Sequence, residues 1–303
     1  MEYIEGKYVS SGNGRLYLKK TGEGAPSVVI EPAWGSLSAE WFPIQQELSN
    51  ETTVIAYDRA GYAESPKGGM PRTAMEVADE LFNMLTNAGE SGPVVLAGHA
   101  GGGLYCQMFA RMFPRMVAGM VLVDSLTVND MEFDRLDAPK YHEMMSVDTR
   151  LKNMREIAAL EKEEFVKNIV PLVRNLYSEM HEDLRHQMTE YQSDQQFYKT
   201  VVDEFESRED SIEQLLRIGE FPDIPLKVLT RDFNVMIGLA KQIGVPEEEA
   251  RMAEELWMRN SKSLCDLTTD SELIIVRDAS HNIHIERPDV IKQAIRDVIA
   301  KVQ

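Results

Sequence analysis

Cysteine, positive charge and long apolar runs are what this sequence has least of, and each shortage closes off a class of function. Only Cys106 and Cys265 occur in 303 residues. Two thiols so far apart form no disulfide framework and supply too few ligands for a cysteine metal site. Cys106 falls on the apolar part of a helical segment, where a buried, reduced thiol is expected. His142, His181 and His186 lack the spacing of metal ligands, and no metal or cofactor is expected. Lysine and arginine number 32 against 50 aspartates and glutamates, a formal net charge of −18. Such a balance repels nucleic-acid phosphates and anionic membrane surfaces, so neither is expected as a partner. No apolar run approaches the roughly 20 residues of a membrane span. Residues 1–7 lack the basic and apolar regions of a signal peptide, which gives the cytoplasm as the expected location. Internal repeats and low-complexity linkers are also missing.

What is present is a rhythm of short apolar runs and amphipathic segments. Hydrophobic residues make up 43% of the chain, enough for one large core or a core with a subdomain. Residues 14–18 alternate in polarity like an antiparallel edge strand. Residues 27–31, 53–58, 94–97 and 117–124 are continuous apolar runs of the kind found in parallel strands buried on both faces. Between them, Ala74, Val77, Ala78, Leu81, Met84 and Leu85 keep helical spacing. Thr73 is the expected N-cap of that helix, with Glu76 completing a capping box. Leu104, Tyr105, Met108, Phe109 and Met112 repeat the pattern until Pro114. Strand and helix alternating in this way predict an α/β fold: a mostly parallel central sheet with helices on both faces.

The rhythm stops near Ser125. From there to about Pro222 the chain is helical, charged and rich in methionine, including Met144, Met145, Met154, Met180 and Met188. We read residues 126–222 as an inserted helical cap and residues 1–125 with 223–303 as the core. Methionine suits a surface that receives a bulky apolar ligand, although helix packing alone also uses it. Strands at 224–230 and 272–276 resume the sheet. A closing helix after Pro288 carries Val290, Ile291, Ala294, Ile295, Val298 and Ile299 on its apolar side.

The most informative stretch runs from Val94 to Gly103. An apolar strand leads into Gly98-His99-Ala100-Gly101-Gly102 and then a glycine-rich helix start. That is the build of a nucleophile elbow, G-x-S-x-G, with alanine where the serine belongs. Four further segments fall in matching order. They are Pro32-Ala33-Trp34-Gly35 after one strand, Asp58-Arg59-Ala60-Gly61 after the next, Val123-Asp124-Ser125 at the end of another, and Ser280-His281-Asn282 after the last. With these motifs the chain resembles the α/β-hydrolase fold superfamily over essentially its full length, in its serine esterase and lactonase-like branch.

The resemblance implies roles residue by residue. Ala100 stands at the nucleophile position and His281 at the general base. His284, three residues on, is read as a packing residue. Oxyanion donors would be the backbone N–H groups of Gly101 and Trp34, with Ala33 second to Trp34. The Trp34 side chain is also read as a substrate contact. His99, the variable elbow position, is read as structural, with substrate contact as the alternative. The acid is Asp124 at the end of the sixth strand or, second, Asp232 after the seventh, where the family's usual acid position holds Asn234.

The implied activity is hydrolysis of a carboxylic ester or lactone, a small-molecule substrate, bulky and apolar if the Met-rich cap lines the site. Alanine cannot attack a carbonyl. The chain is therefore either a serine enzyme disabled by a Ser→Ala change or a natural binding protein or sensor. The retained base, oxyanion loop and glycines favour the first. An aspartate-nucleophile enzyme ranks below both. An amidase or C–C hydrolase would use the same constellation, because fold and triad do not fix the bond cleaved.

Overall fold

The computed structural model describes residues 5–176 and 182–303. Met180 and His181, part of the expected cap, lie outside the described residues. Eight strands form one sheet in the order β1-β2-β4-β3-β5-β6-β7-β8. They are β1 (Lys7–Ser10), β2 (Arg15–Thr21), β3 (Val28–Glu31), β4 (Val54–Asp58), β5 (Val94–His99), β6 (Val117–Val123), β7 (Leu226–Thr230) and β8 (Ser271–Ile275). Strand β2 runs antiparallel to β1 and β4, and β3 to β8 are parallel. The mostly parallel α/β sheet expected from the apolar runs is the observed one.

The edge differs. Residues 14–18 fall in the second strand, because β1 pairs outside it. Strand β1 buries only Val9 and carries no apolar run that would mark it in the sequence.

Core helices are α1 (Phe42–Leu48), α2 (Ala74–Asn87) and α3 (Gly101–Met112). The segment between β6 and β7 contributes α4 (Pro139–Met145), α5 (Val147–Ala158), α6 (Lys162–Asn168), α7 (Val170–Leu176), α8 (Glu182–Gln192), α9 (Gln195–Glu206) and α10 (Arg208–Arg217). After β7 come α11 (Phe233–Gln242) and α12 (Glu247–Ser263), and after β8 come α13 (Ile283–Glu286) and α14 (Pro288–Val302). Helices α2 and α3 cover one sheet face, and α1 and α14 the other. The six apolar positions read along α2 are its six buried residues. Each fully buried large side chain of this kind contributes about 1.5–3 kcal/mol. Ile291, Ala294, Ile295 and Val298 bury the apolar side of α14 in the same way.

Thr73 is the N-cap of α2, but the capping box does not form. Its hydroxyl instead accepts from Gln214 Nε2 at 3.0 Å. The free N–H groups of the first turn go to α10: Ala74 N donates to Ser211 Oγ at 2.9 Å and Met75 N to Gln214 Oε1 at 3.1 Å. A tertiary neighbour thus supplies what a local glutamate could have supplied.

The helices between β6 and β7 build their own apolar cluster, with Phe165, Val170, Met188, Phe197, Tyr198 and Val201 packed against Leu37 and Tyr62 of the core. Among the described residues no helix is long and apolar enough to cross a membrane.

Candidate active site

Strand β5 delivers the chain to Ala100, whose φ of 48° and ψ of −117° are outside the regions favoured by an L-residue. Local strain of this kind persists only where the surroundings hold it. Ala100 N donates to Val123 O at 3.0 Å, which ties the elbow to the end of β6. Two glycines make room. A Cβ on Gly102 would overlap the Pro32 carbonyl, and one on Gly101 would overlap the Trp34 indole. The elbow therefore packs directly on the loop after β3, Gly102 against its backbone and Gly101 against the Trp34 ring.

Asp124 follows β6 with φ of 41° and is fully buried. Its Oδ2 lies 2.7 Å from His281 Nδ1. Its Oδ1 accepts from Trp257 Nε1 at 2.8 Å and from Arg231 N at 3.1 Å. Arg231 Nη1 reaches Oδ2 at 3.3 Å. Burial pushes the Asp124 carboxyl up, but the Arg231 charge, the His281 contact and the Arg231 backbone N–H outweigh it and hold it below the ordinary value. Arg231 is itself held by Glu254 through bonds of 2.9 and 2.6 Å.

Asp232 does other work. Its Oδ1 accepts from Asn234 N at 2.9 Å as N-cap of α11, and its Oδ2 from Asp278 N at 3.1 Å. Burial raises its pKa, and the backbone donors of Asp278, Asn234 and Val235 outweigh that and lower it. Of the two candidate acids, the structure brings Asp124 to His281 and uses Asp232 to cap a helix and steady the loop that carries His281.

That loop has further supports. Glu286 accepts from Ser280 N and Ser280 Oγ at 2.6 and 2.7 Å. His99 Nε2 lies 3.0 Å from His281 O. His99 is buried and is not among the cavity-lining residues. Burial and the neighbouring His284 and His281 push its pKa well below the ordinary value, which keeps it neutral. His284 stacks on Trp41 and meets Glu40 at 3.0 Å, as a packing residue does.

Ala100, Gly101, Trp34, Ala33 and His281 line one cavity of about 160 Å³ beneath the cap. The backbone N–H groups of Trp34 and Gly101 have no acceptor among the described residues. His281 Nε2 has none either, and its ring is a third exposed, towards this space. A donor pair, an imidazole and the strained elbow therefore belong to residues that line the same cavity.

The loop after β3 is anchored by a residue that the motif contained without revealing its use. Arg59 donates to Pro32 O at 2.7 Å and Ala33 O at 2.8 Å. The same guanidinium pairs with buried Glu31 at 2.7 Å and with Glu204 of α9 at 2.6 Å. Glu31 also accepts from Tyr57, and Glu204 from Tyr62 at 2.6 Å. Burial raises the Glu31 pKa above the ordinary value against the lowering effect of Arg59. Sequence reading missed Arg231, Trp257 and Glu254 as well. Arg231 and Trp257 reach Asp124 from elements more than 100 residues away, Glu254 in turn holds Arg231, and no local pattern marks them.

Among the described residues no cluster of three or more histidine, cysteine or acidic side chains could hold a metal ion. Of the methionines singled out, Met145 lines the cavity, Met188 is packed in the cap cluster and Met144 is exposed.

Comparison with known proteins agrees with this fold. A family model described as alpha/beta hydrolase family matches residues 28–294. An uncharacterized protein of Bacillus subtilis is 22% identical over 98% of this chain and 92% of its own length. A probable transporter of Hormonema carpetanum is 32% identical over 39% of this chain, a match that spans 18% of that protein. Among solved structures, a thermophilic esterase from Thermogutta terrifontis superposes with a TM-score of 0.65 at 21% identity, covering 98% of this chain and 99% of that one. An N-acyl homoserine lactone degrading enzyme gives 0.65 at 18% identity, covering 96% and 99%. At such identities the likeness is one of fold.

Proposed function

The chain belongs to the alpha/beta hydrolase family, and on that premise we propose that its site is built to hydrolyse a carboxylic ester or lactone through a serine at position 100, with Ala100 marking a form that cannot cut. One observation carries the reading: the 2.7 Å contact between His281 Nδ1 and Asp124 Oδ2 is intact behind an elbow that lacks only its hydroxyl. That dyad serves a nucleophile, and a pocket used for binding alone has no need of it.

In the serine form, Oγ adds to the substrate carbonyl while His281 Nε2 takes its proton. The N–H groups of Gly101 and Trp34 hold the tetrahedral oxyanion. Collapse breaks the C–O bond, and His281 returns the proton to the leaving alkoxide. The acyl-enzyme then reacts with water, which gives its proton to His281; His281 passes that proton to the serine Oγ as the acyl–oxygen bond breaks, and the free acid leaves. Asp124 keeps the imidazole oriented and stabilises it when protonated. The esterase and lactone-degrading neighbours support this bond class.

The test is hydrolysis of a short aryl ester and a lactone panel by Ala100→Ser beside the chain as it stands. A rate gain of about 10³ or more supports the reading. No gain in a folded protein sinks it and favours a natural ligand-binding protein.

A further inference from the structure

Charge in this cavity is almost entirely paired. Arg231 is held by Asp124 and Glu254. Asp130 and Asp134, on the cavity wall, both pair with Arg208, at 2.6 and 3.0 Å. Arg150 is the exception. It sits in the first turn and a half of α5, and its guanidinium has no ion pair and no hydrogen bond among the described residues, in a chain with 50 acidic side chains.

Its position is informative. Arg150 lines the cavity at Ala100 and also a second space of about 500 Å³ under the cap. Trp34 and Phe205, 5.2 Å apart between ring centroids, are the other two residues common to both walls. The second space is apolar, with Met154, Ile157, Val173, Phe197 and Val201 around it. The side chain of Arg150 is exposed, and it lines both of these spaces. Desolvation by the surrounding protein pushes its pKa down, with Tyr141 and Asp130 opposing and Arg231 adding to the fall. An arginine remains charged through such a shift, so the fold carries an uncompensated cation at the junction.

We propose that Arg150 receives a carboxylate of the substrate, which is an acid-bearing ester or lactone with an apolar arm seated among Met154, Ile157, Val173, Phe197 and Val201. The proposal rests on the hydrolytic reading of the site. A planar guanidinium with all its donors free matches a carboxylate through two parallel bonds. The apolar lining next to it takes a chain or ring and leaves the charge at the junction. An ester without the acid forgoes that pair, and the difference is the basis of selection.

The experiment compares two esters of equal chain length, mono(4-nitrophenyl) suberate and 4-nitrophenyl octanoate, with the Ala100→Ser protein. The expected result is a kcat/KM at least tenfold higher for the suberate ester. Arg150→Met should lower kcat/KM for the suberate ester at least tenfold more than for the octanoate ester, and Arg150→Lys should recover part of the difference. Equal effects on both esters overturn the proposal. If Ala100→Ser cleaves neither ester, the hydrolytic reading has failed, and calorimetric titration of the Ala100 chain with suberate monoester tests Arg150 on its own. Binding lost in Arg150→Met supports the carboxylate site, and absent or unaltered binding overturns it. Because Arg150 makes no hydrogen bond or ion pair among the described residues, Arg150→Met should melt within a few degrees of its parent, which separates loss of recognition from loss of structure.

Discussion

The Arg231 guanidinium lies on the face of the Trp257 indole, 3.8 Å from its centroid, and the two side chains grip opposite oxygens of Asp124. A cation over an indole face is attracted by the ring quadrupole, more strongly where water is excluded. Both residues come from outside the motifs that mark the elbow, yet they decide where the carboxylate points.

Removing this support should be costly. Arg231→Met leaves Asp124 and Glu254 buried without their cation, and we expect a loss of about 3–5 kcal/mol in urea unfolding. Trp257→Phe keeps most of the packing and removes one donor, for about 1–3 kcal/mol. Replacing Glu254 together with Arg231 by apolar residues should recover part of the loss, since no partner charge is then stranded beside Asp124. An Arg231→Met loss below about 1 kcal/mol would show that the carboxylate is held by other means.

The two aspartates should separate by what they damage. In the Ala100→Ser background, Asp124→Asn is expected to lower kcat by about 10³–10⁴, because the imidazole loses its orienting acceptor. Asp232→Asn should cost about 1 kcal/mol of stability through the α11 cap and change kcat by less than tenfold. The reverse pattern would return the acid to the end of β7.

Acid should destabilise the fold through His99. Its pKa is pushed down in the folded chain and returns to about 6.5 on unfolding. Below about pH 6.5 the unfolded chain therefore binds a proton that the folded chain refuses. Stability is full above that value and falls as pH drops towards the folded pKa, by up to about 1.4 kcal/mol per pH unit. Urea midpoints between pH 8 and 5 should fall more steeply for the parent than for His99→Gln, and the difference between the two cancels the other titrating groups. Parallel profiles would remove His99 as the cause.

Much of this arrangement was legible in the sequence, and the limit has a physical form. The apolar spacing of α2 predicts its buried face residue for residue, because helix periodicity is local. The elbow, His281 and a choice between two acids were readable because each occupies a strand end of fixed order. The choice itself was not, since Asp124 and His281 are 157 residues apart and only the folded loop joins them. Thr73 shows the same limit in miniature. A local capping box was the natural reading, but α10, about 140 residues on, supplies the bonds instead. The free cation of Arg150 is likewise invisible to a count of charges, which cannot tell a paired arginine from an unpaired one.

The bonds from Ser211 and Gln214 to the start of α2 have a mechanical consequence for how a molecule enters. With Glu204 of α9 locked to Arg59 as well, the last two helices before β7 are fixtures of the scaffold. Swinging them away would strip a core helix of its first-turn partners and strand a buried carboxylate. A motion of the helices between β6 and β7 that admits a molecule should therefore leave α9 and α10 in place as a stationary jamb.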